Sequence, residues 1–238
     1  MKDLFILYGH GEGDPGATGN GYQELERVKV LTGKVVKLLE DKGVSVLTNY
    51  GKDHNNYKKS MTEKTKYSCG CTIHLNSIGD NKIRGSEIII PCKEKDFTIE
   101  TEILSQLSKL GFSNRGVKSR DYNTESFMNR RHSTPLNYTD WYKEIRESWA
   151  KGQSHSIIEV CFISSKEDIA LFNKEIDKIA KIIANAYLKY MKKTVYDLNQ
   201  KEDKLYQVVA GTYSTQANAQ KQVELLKAKG IESYIMVK

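Results

Sequence analysis

The sequence predicts an α/β fold with a mostly parallel twisted sheet flanked by helices, followed by a small C-terminal β-α-β unit. Two patterns indicate this fold. Short apolar runs typical of buried strands alternate with longer segments whose apolar residues recur at helical spacing. After residue 191, a polar and charged stretch separates the larger part of the chain from a second, shorter α/β pattern.

The first half of the chain contains the clearest strand and helix patterns. The apolar run 3–8 predicts a buried strand, which leads into a Gly-rich loop at 11–21. Apolar residues at helical spacing from Val28 to Leu39 predict a helix over 24–41. The next predicted elements are a strand, a polar helix, two strands and a helix, at 44–47, 54–67, 69–75, 85–91 and 94–110.

The second half is irregular before it returns to the same alternation. The polar stretch 112–138 predicts irregular structure, and the aromatic stretch after it predicts a short helix at 139–150. A fifth strand is predicted at 156–162 and a long helix at 166–191. The first predicted domain therefore covers residues 1–191.

The C-terminal part of the chain predicts a separate small unit. Residues 192–204 are polar and charged and predict a linker. Apolar runs on either side of a helix at 216–229 then predict one β-α-β unit over 205–238. Because so short a unit cannot bury a full core alone, we expect it to dock on the first domain or to form a homodimer.

Composition and charge narrow the class of protein. The chain of 238 residues has a net charge of +7, and its lysines are scattered among glutamates and aspartates. This pattern is typical of a solvated surface, and attraction to an anionic polymer, either nucleic acid or a teichoic-acid-bearing wall, is the alternative. The sequence contains no nucleic-acid-binding motif, so we expect no nucleic-acid partner.

The hydropathy of the chain bears on its location. No run approaches the roughly 20 apolar residues that a membrane helix needs, so we expect no membrane span. The first 14 residues combine one lysine and a short apolar stretch but no small-residue cleavage site. We therefore expect synthesis in the cytoplasm without a signal peptide. A substrate outside the cell would then require release by lysis or by a non-classical route.

Two histidines and a glutamate lie where predicted strands and loops end. His10 follows the first strand, His74 ends the third, and Glu24 begins the helix after the Gly-rich loop. Ligand sites of open α/β sheets form at the carboxyl ends of the strands, so these side chains can converge on one edge. Two imidazoles and one carboxylate form a catalytic zinc set that leaves a position for water. By position alone, each histidine could also be an ordinary hydrogen-bonded residue.

Five short motifs follow one another along the first 190 residues. They are Gly9-His10-Gly11-x-x-Asp14-Pro15-Gly16-Ala17, Gly21-x-x-Glu24, Ile73-His74-x-Asn76, Gly85-Ser86-Glu87 and Ile158-Glu159-Val160-x-Phe162-Ile163-Ser164. Each motif is weak alone, but their order and spacing are specific. Together they resemble the zinc-dependent N-acetylmuramoyl-L-alanine amidases of the amidase 3 type, a family that includes autolysins, sporulation amidases and phage endolysins.

The resemblance implies a metal site with named ligands. His10, Glu24 and His74 align with the zinc ligands of the family. Glu26 is a nearby rival to Glu24, and the spacing from Gly21 favours Glu24. Zn²⁺ is therefore the expected cofactor.

The resemblance also implies a catalytic residue and two supporting residues. Glu159 aligns with the family's catalytic glutamate, and it interrupts an apolar strand, where a carboxylate is costly without a task or a partner. We expect it to take a proton from water and pass it to the leaving amine, and a buried ion pair is the alternative. Asn76 and Glu87 match positions that the family tends to keep. They are predicted to be structural or to orient a zinc-bound histidine.

Two segments lie outside this core pattern. Residues 121–155 are longer than in short members of the family and contain His132 and His155. This segment could wall the substrate groove or could be a packed surface excursion. Residues 205–238, with Tyr206-x-Val208-x-Ala210-Gly211 and Ala217-x-Ala219, resemble the first half of a sporulation-related repeat domain, which implies binding to peptidoglycan. Because only one β-α-β unit is present, the alternatives are that it binds glycan alone, pairs with a second chain or is a vestige.

The expected function is that of a peptidoglycan hydrolase that cleaves the amide bond between N-acetylmuramic acid and L-alanine of the stem peptide. Another peptidoglycan metallopeptidase, or a non-catalytic wall-binding protein on the same scaffold, is the alternative. The expected site of action is the cell wall, reached after lysis or holin-type release. A phage endolysin and a sporulation amidase both fit this pattern.

Overall fold

A computed structural model describes residues 3–11, 13–51, 69–130, 135–199, 211–231, 233 and 235. The chain divides into two compact units, Met1–Leu198 and Asn199–Lys238. Among the described residues, no helix is both long enough and apolar enough to cross a membrane.

The first unit contains nine strands and four helices among its described residues. The strands are β1 (Leu4–Tyr8), β2 (Thr18–Gly19), β3 (Tyr22–Gln23), β4 (Val46–Leu47), β5 (Cys69–Asn76), β6 (Ser86–Ile89), β7 (Asn114–Arg120), β8 (Phe127–Asn129) and β9 (Ser154–Phe162). The helices are α1 (Glu24–Asp41), α2 (Thr98–Leu110), α3 (Lys143–Ala150) and α4 (Lys166–Tyr190).

Seven of these strands form one mixed sheet in the order β4-β1-β5-β9-β6-β7-β8. The pairs β1–β4, β1–β5, β5–β9 and β6–β7 are parallel, whereas β6–β9 and β7–β8 are antiparallel. The predicted α/β class with a mostly parallel sheet is therefore confirmed. Because β1, β5 and β9 run in the same direction, their carboxyl ends meet at one edge of the sheet.

The main core lies between one face of the sheet and helices α1, α2 and α4. Alternate residues of a strand point to opposite faces, so Ile73 of β5 and Ile158 of β9 pack on this side with Leu31 of α1 and Ile183 of α4. These side chains are fully buried. Ser165 caps α4 by accepting a hydrogen bond from the Asp168 amide, at 3.3 Å.

The opposite face of β5 and β9 carries polar residues as well as apolar ones. Thr72 and His74 of β5 lie on this face, beside Ile157 and Glu159 of β9. Helix α3 covers part of it, where its Ile145 packs with Ile89 and Ile157 in a small separate cluster. His74 and Glu159 therefore lie on the side of the sheet that the main core does not use.

Several element predictions need correction. The prediction of irregular structure at 112–138 is wrong, because β7 and β8 lie within this stretch. The sequence of β7 gives no strand signal, because only two of its positions, Val117 and Ser119, are buried and it therefore lacks an apolar alternation. The predicted helix at 54–67 lies outside the described residues.

The predicted linker does not coincide with the limit of the first unit. Tyr196 exchanges two backbone hydrogen bonds of 2.8 Å with the Asn185 side chain, and its hydroxyl donates to the Leu38 carbonyl at 2.9 Å. Residues up to Leu198 therefore pack on the first unit. In the second unit the described element is helix α5 (Gln216–Ala228), and both predicted strands lie largely outside the described residues.

Candidate metal centre

His10 lies in the loop that leaves β1. Its backbone φ is 66°, in the left-handed region that non-glycine residues rarely adopt. In this conformation both nitrogen atoms of the His10 ring have a carboxylate partner. Its Nε2 lies 3.0 Å from Glu24 Oε1, and its Nδ1 lies 2.9 Å from Asp14 Oδ2.

Glu24 is the first residue of α1 and is almost fully buried, with 2% of its surface exposed. Its Oε1 lies 3.1 Å from His74 Nδ1 and accepts a hydrogen bond of 2.9 Å from the Leu75 amide. Its Oε2 accepts a hydrogen bond of 3.0 Å from the Ala17 amide. The carboxylate is thus held from both sides by backbone groups, with both imidazoles at one oxygen.

His74 lies near the end of β5, where its ring packs against the loop that follows β1. A Cβ atom added at Gly9 would lie 2.0 Å from His74 Cε1, so this ring requires a glycine there. The centroids of the His10 and His74 rings are 5.0 Å apart. Two strands and one helix therefore bring the three predicted ligands together at the carboxyl edge of the sheet.

The donor set fits a zinc ion. His10, Glu24 and His74 each offer one ligand atom, and these atoms lie within 4.8 Å of one another. Zinc bonds of about 2.0–2.1 Å in tetrahedral geometry would place ligand atoms roughly 3.3 Å apart. The two separations from Glu24 Oε1, 3.0 and 3.1 Å, are close to this value.

A glycine keeps the space around these ligands open. Gly16 has a φ of +68°, and a Cβ atom there would lie 2.8 Å from both His10 Nε2 and Glu24 Oε2. Any residue other than glycine at position 16 would bring its side chain into collision with His10 and Glu24, so the loop can approach them this closely only with a glycine there.

Mutual hydrogen bonding controls the charge state of the three groups. The hydrogen bond to Glu24 raises the pKa of His10 to about 9. Burial is the largest single influence on the pKa of His74 and lowers it, but the hydrogen bond to Glu24 and the negative charges of nearby carboxylates together outweigh it, so the net shift is upward. Burial raises the pKa of Glu24, but the two imidazoles together hold it far below its usual range. The carboxylate therefore attracts positive charge, whether from protons or from a metal cation.

Glu159 lies beside this group on β9, paired in register with His74 of β5. Its Oε2 atom is buried and has no hydrogen-bond partner among the described residues. Burial raises the pKa of Glu159 to about 7. A carboxylate in this state can exchange a proton near neutral pH, which is the property expected of a general acid–base residue.

Asn76 and Glu87 lie near the site but contact each other rather than a histidine. Asn76 Nδ2 donates to Glu87 Oε1 at 3.1 Å. Glu87 Oε2 accepts from Arg115 Nε at 2.6 Å and from Lys118 Nζ at 2.7 Å. These contacts fit a structural role, and the role of orienting a histidine falls to a residue that sequence reasoning did not assign.

That residue is Asp14. Its Oδ2 contacts His10 Nδ1, the ring nitrogen that faces away from Glu24, while its Oδ1 accepts a hydrogen bond of 3.0 Å from the Gly16 amide. A carboxylate on the outer nitrogen fixes the orientation of a metal-binding imidazole. The signal was present in the first motif, where Asp14 follows His10 by four residues.

The remaining candidates separate clearly. Glu26 is exposed and lies outside the group of ligand atoms that contains Glu24.

In the segment 121–155, Tyr142 and Glu144 line a cavity of about 310 Å³ together with the three predicted ligands and Glu159. Part of this segment thus walls the cavity. His155 is fully buried, and His132 lies outside the described residues.

Comparison with protein families identifies the first unit. Residues 4–189 match the family model described as N-acetylmuramoyl-L-alanine amidase, which covers well over half of the chain. The chain belongs to this amidase family. The family predicted from the five motifs is therefore confirmed, and with it the class of peptidoglycan hydrolase. Residues 180–236 match the SPOR domain model, which confirms the resemblance of the C-terminal part to a sporulation-related repeat.

Individual relatives are distant. The sporulation-specific N-acetylmuramoyl-L-alanine amidase of Bacillus subtilis is 26% identical over 254 aligned positions, which cover 100% of this chain and 86% of that protein. The protein named Probable autolysin PH of Staphylococcus aureus is 26% identical over 203 positions. That match covers 78% of this chain but only 38% of the autolysin, so this amidase spans well under half of that relative's length.

Solved structures agree with the fold of the amidase domain. An N-acetylmuramoyl-L-alanine amidase of Nostoc punctiforme gives a TM-score of 0.58 at 22% identity, covering 81% of this chain and 98% of that one. An N-acetylmuramoyl-L-alanine amidase from Clostridium difficile 630 gives 0.59 at 18% identity, covering 80% and 97%. At these identities the likeness shows the fold alone.

Proposed function

We propose that this chain hydrolyses the amide bond between N-acetylmuramic acid and L-alanine of the stem peptide, with a zinc ion held by His10, Glu24 and His74. The observation that carries the proposal is the convergence of two imidazole nitrogens and one carboxylate oxygen within 4.8 Å on an amidase-family fold. Two nitrogen ligands and one oxygen ligand are a set that suits zinc and leaves room for a further ligand.

The protein groups around the ligands divide the work. When bound, zinc would supply Lewis-acid polarisation of the amide carbonyl and acidify a water molecule. Glu24 holds both histidines at one oxygen, and Asp14 fixes the ring of His10 from the other side. The buried site thereby presents its ligands without reorganisation, which lowers the cost of reaching the transition state.

Glu159 is the proposed general acid–base residue. Its buried Oε2 can accept a proton from the attacking water and then donate it to the nitrogen of the departing L-alanine. Burial raises the pKa of Glu159 to about 7, so both transfers are accessible near neutral pH. Glu159→Gln should retain zinc but lower kcat by about 10²- to 10⁴-fold. A fully active Glu159→Gln variant would remove this residue from the mechanism.

The test measures the release of amino groups from purified sacculi, with and without a chelator, and identifies the products by mass spectrometry. Glycan strands that keep muramic acid but lose the peptide support the amidase. Shortened peptides that remain attached would indicate an endopeptidase, and binding without release would indicate a non-catalytic wall protein. Activity that survives complete removal of metal would contradict the zinc proposal.

A matched pair of variants tests the assignment of the acidic ligand. Glu24→Gln should lose metal and activity, because it removes the charge that both imidazoles contact. Glu26→Gln changes an exposed residue in the same turn of α1 and should behave like the unchanged protein. The reverse result would assign the ligand to Glu26.

We propose that the C-terminal unit binds glycan and pairs with a second copy of the chain. Its Leu225 and Ile231 are about half exposed, at 52% and 51%, and so small a unit gains core by association. Light scattering of the full chain and of Leu225→Lys, with sacculus pull-down, separates the two roles. A monomeric unchanged chain would exclude the dimer.

We also propose that the chain reaches the wall on lysis, which fractionation of producing cells before and after lysis would test.

A further inference from the structure

A second carboxylate lines the cavity beside the metal-site residues. Glu144 lies in the first turn of α3 and lines the cavity together with His74, Tyr142 and Glu159. Its side chain is 24% exposed, so solvent and substrate can reach it. The mechanism proposed above gives it no task.

Glu144 is tied to a chain of buried polar groups. Its Oε2 lies 3.2 Å from the hydroxyl of Thr72, which lies 2.8 Å from His155 Nε2. On the far side of the ring, His155 Nδ1 lies 3.0 Å from the hydroxyl of Ser148. Thr72, Ser148 and His155 are at most 1% exposed, so of the four groups Glu144 is the one that lines the cavity.

The direction of these hydrogen bonds follows from the proton count. A carboxylate can only accept, so the single proton of Thr72 is donated to Glu144. The Thr72 oxygen then accepts from His155 Nε2–H, and His155 Nδ1 accepts from Ser148. Burial lowers the pKa of His155, which agrees with a neutral ring that carries one proton. Each of the three donors, Thr72, His155 and Ser148, thus has an acceptor.

A fully satisfied buried network makes its members rigid. This one joins β5, β9 and α3 through residues more than 70 positions apart in sequence, and the edge of the Phe5 ring packs on His155 with centroids 4.8 Å apart. The end of the network at Glu144 is therefore held in place, although α3 is only eight residues long.

We propose that Glu144 is a substrate-positioning carboxylate that accepts a hydrogen bond from a donor group of the muropeptide. This inference rests on the proposed function, because it requires that the cavity holds the substrate. Two donors fit the chemistry, namely the protonated side-chain amine of the stem peptide's diamino acid and a neutral N–H or O–H group. Thr72, His155 and Ser148 position the carboxylate and do not contact the substrate.

The test compares Glu144→Gln with Glu147→Gln in the full chain. Glu147 lies on the same helix and is exposed, with an ion pair of 3.6 Å to Lys143. Losing a hydrogen bond to a charged group should raise KM for a soluble muropeptide by about tenfold or more for Glu144→Gln, with a smaller effect on kcat. Glu147→Gln should stay within about twofold. Zinc content and Tm should match the unchanged protein in both variants.

Two substrates distinguish the donors. If Glu144 binds the amine, the unchanged protein prefers the muropeptide with a free amine over its N-acetylated form, and Glu144→Gln loses this preference. If the donor is neutral, Glu144→Gln raises KM equally for both substrates. An unchanged KM for both would overturn the proposal.

The supporting network has its own test. Thr72→Val removes the hydroxyl while keeping the shape, and should raise KM in the same direction as Glu144→Gln. Thr72→Ser restores the hydroxyl and should restore KM. Equal KM values for Thr72→Val and Thr72→Ser would remove the network from the explanation.

Binding measurements separate this inference from the proposed function. In the Glu159→Gln background, which slows turnover, the dissociation constant of the muropeptide is measured with and without Glu144→Gln. Failure of the proposed function appears as no peptide release by the unchanged protein. Failure of the present inference appears as an unchanged dissociation constant.

Discussion

Glu87 and Glu159 are directly paired across the antiparallel strands β6 and β9, yet their carboxylates have opposite environments. Glu87 contacts Arg115 and Lys118 at 2.6 and 2.7 Å, whereas Glu159 Oε2 is buried and has no partner among the described residues. The two cations neutralise one carboxylate of the pair. The other is left with a raised pKa beside the metal-site residues.

This pairing predicts that Lys118 influences the pKa of Glu159, the proposed acid–base residue. Lys118→Met removes a cation that offsets Glu87, and the charge of Glu87 raises the pKa of Glu159. The acid limb of the pH profile of kcat/KM should therefore move to higher pH, by about half a unit to one unit. Lys109→Met removes an equal charge from the exposed end of α2 and should leave the profile unchanged. A common shift in both variants would point to net charge instead.

The stability of the metal-free protein should depend on Glu159 and pH. Burial raises its pKa from an ordinary 4.5 to about 7, so the folded protein holds this proton more tightly than the unfolded chain does. Its ionisation therefore lowers the free energy of unfolding as pH rises from 4.5 through 7.

Glu159→Gln should remove this loss. At pH 8 the variant should be more stable than the unchanged protein by up to about 3 kcal/mol, and at pH 4.5 the two should agree. Urea titrations at both pH values measure the difference. A difference that does not change with pH would contradict the assigned shift.

Zinc affinity should rise with pH. Hydrogen bonding to Glu24 raises the pKa of His10 to about 9 in the metal-free protein, so a metal must displace a proton from this ring below that pH. Each displaced proton weakens apparent affinity about tenfold per unit of falling pH. Calorimetry in two buffers of different ionisation enthalpy counts the released protons. Affinity that is constant between pH 6.5 and 8.5 would be incompatible with a protonated His10.

Gly16 should be required for the metal site beyond its backbone conformation. Gly16→Ala would place a methyl group 2.8 Å from His10 Nε2 and from Glu24 Oε2, and should abolish high-affinity metal binding. Gly13 also has a positive φ, +82°, but an added Cβ would meet nothing within 4 Å. Gly13→Ala should therefore cost about 1–2 kcal/mol of stability through the same backbone strain and keep the metal. Equal metal loss in both variants would assign the effect to the backbone.

The sequence predicted the convergence of three side chains because each occupies a position that is easy to interpret. His10 follows one strand, His74 ends another, and Glu24 begins a helix, so their convergence follows from the parallel arrangement alone. The helix α1 was predictable for a similar reason, since it buries one apolar stripe. The helix α4 was predictable from its helical spacing as well, although its second half, residues 179–188, is buried on all sides.

Other parts depend on tertiary contacts that no local pattern carries. The strand β7 is polar because most of its positions are not fully buried. The contact between Glu144 and Thr72 joins residues 72 positions apart, and His155 becomes interpretable only once both of its ring partners are known. The sequence also placed Asn76 and Glu87 near the histidines. It did not show that Asn76 and Glu87 hydrogen-bond to each other rather than to a histidine, because that depends on side-chain positions in the folded protein.

The left-handed backbone of His10 has a consequence for protein engineering. A non-glycine residue at a φ of 66° costs roughly 1–2 kcal/mol, which His10→Gly would relieve. Near neutral pH the protonated ring of His10 offsets the buried charge of Glu24, and this stabilisation exceeds the strain; it is lost as pH rises through about 9, the raised pKa of His10. A screen for thermal resistance carried out without metal above that pH would therefore favour variants that discard a proposed zinc ligand. Selection for thermal stability and selection for lytic activity would then favour different residues at position 10, so directed evolution of the enzyme should keep metal present throughout.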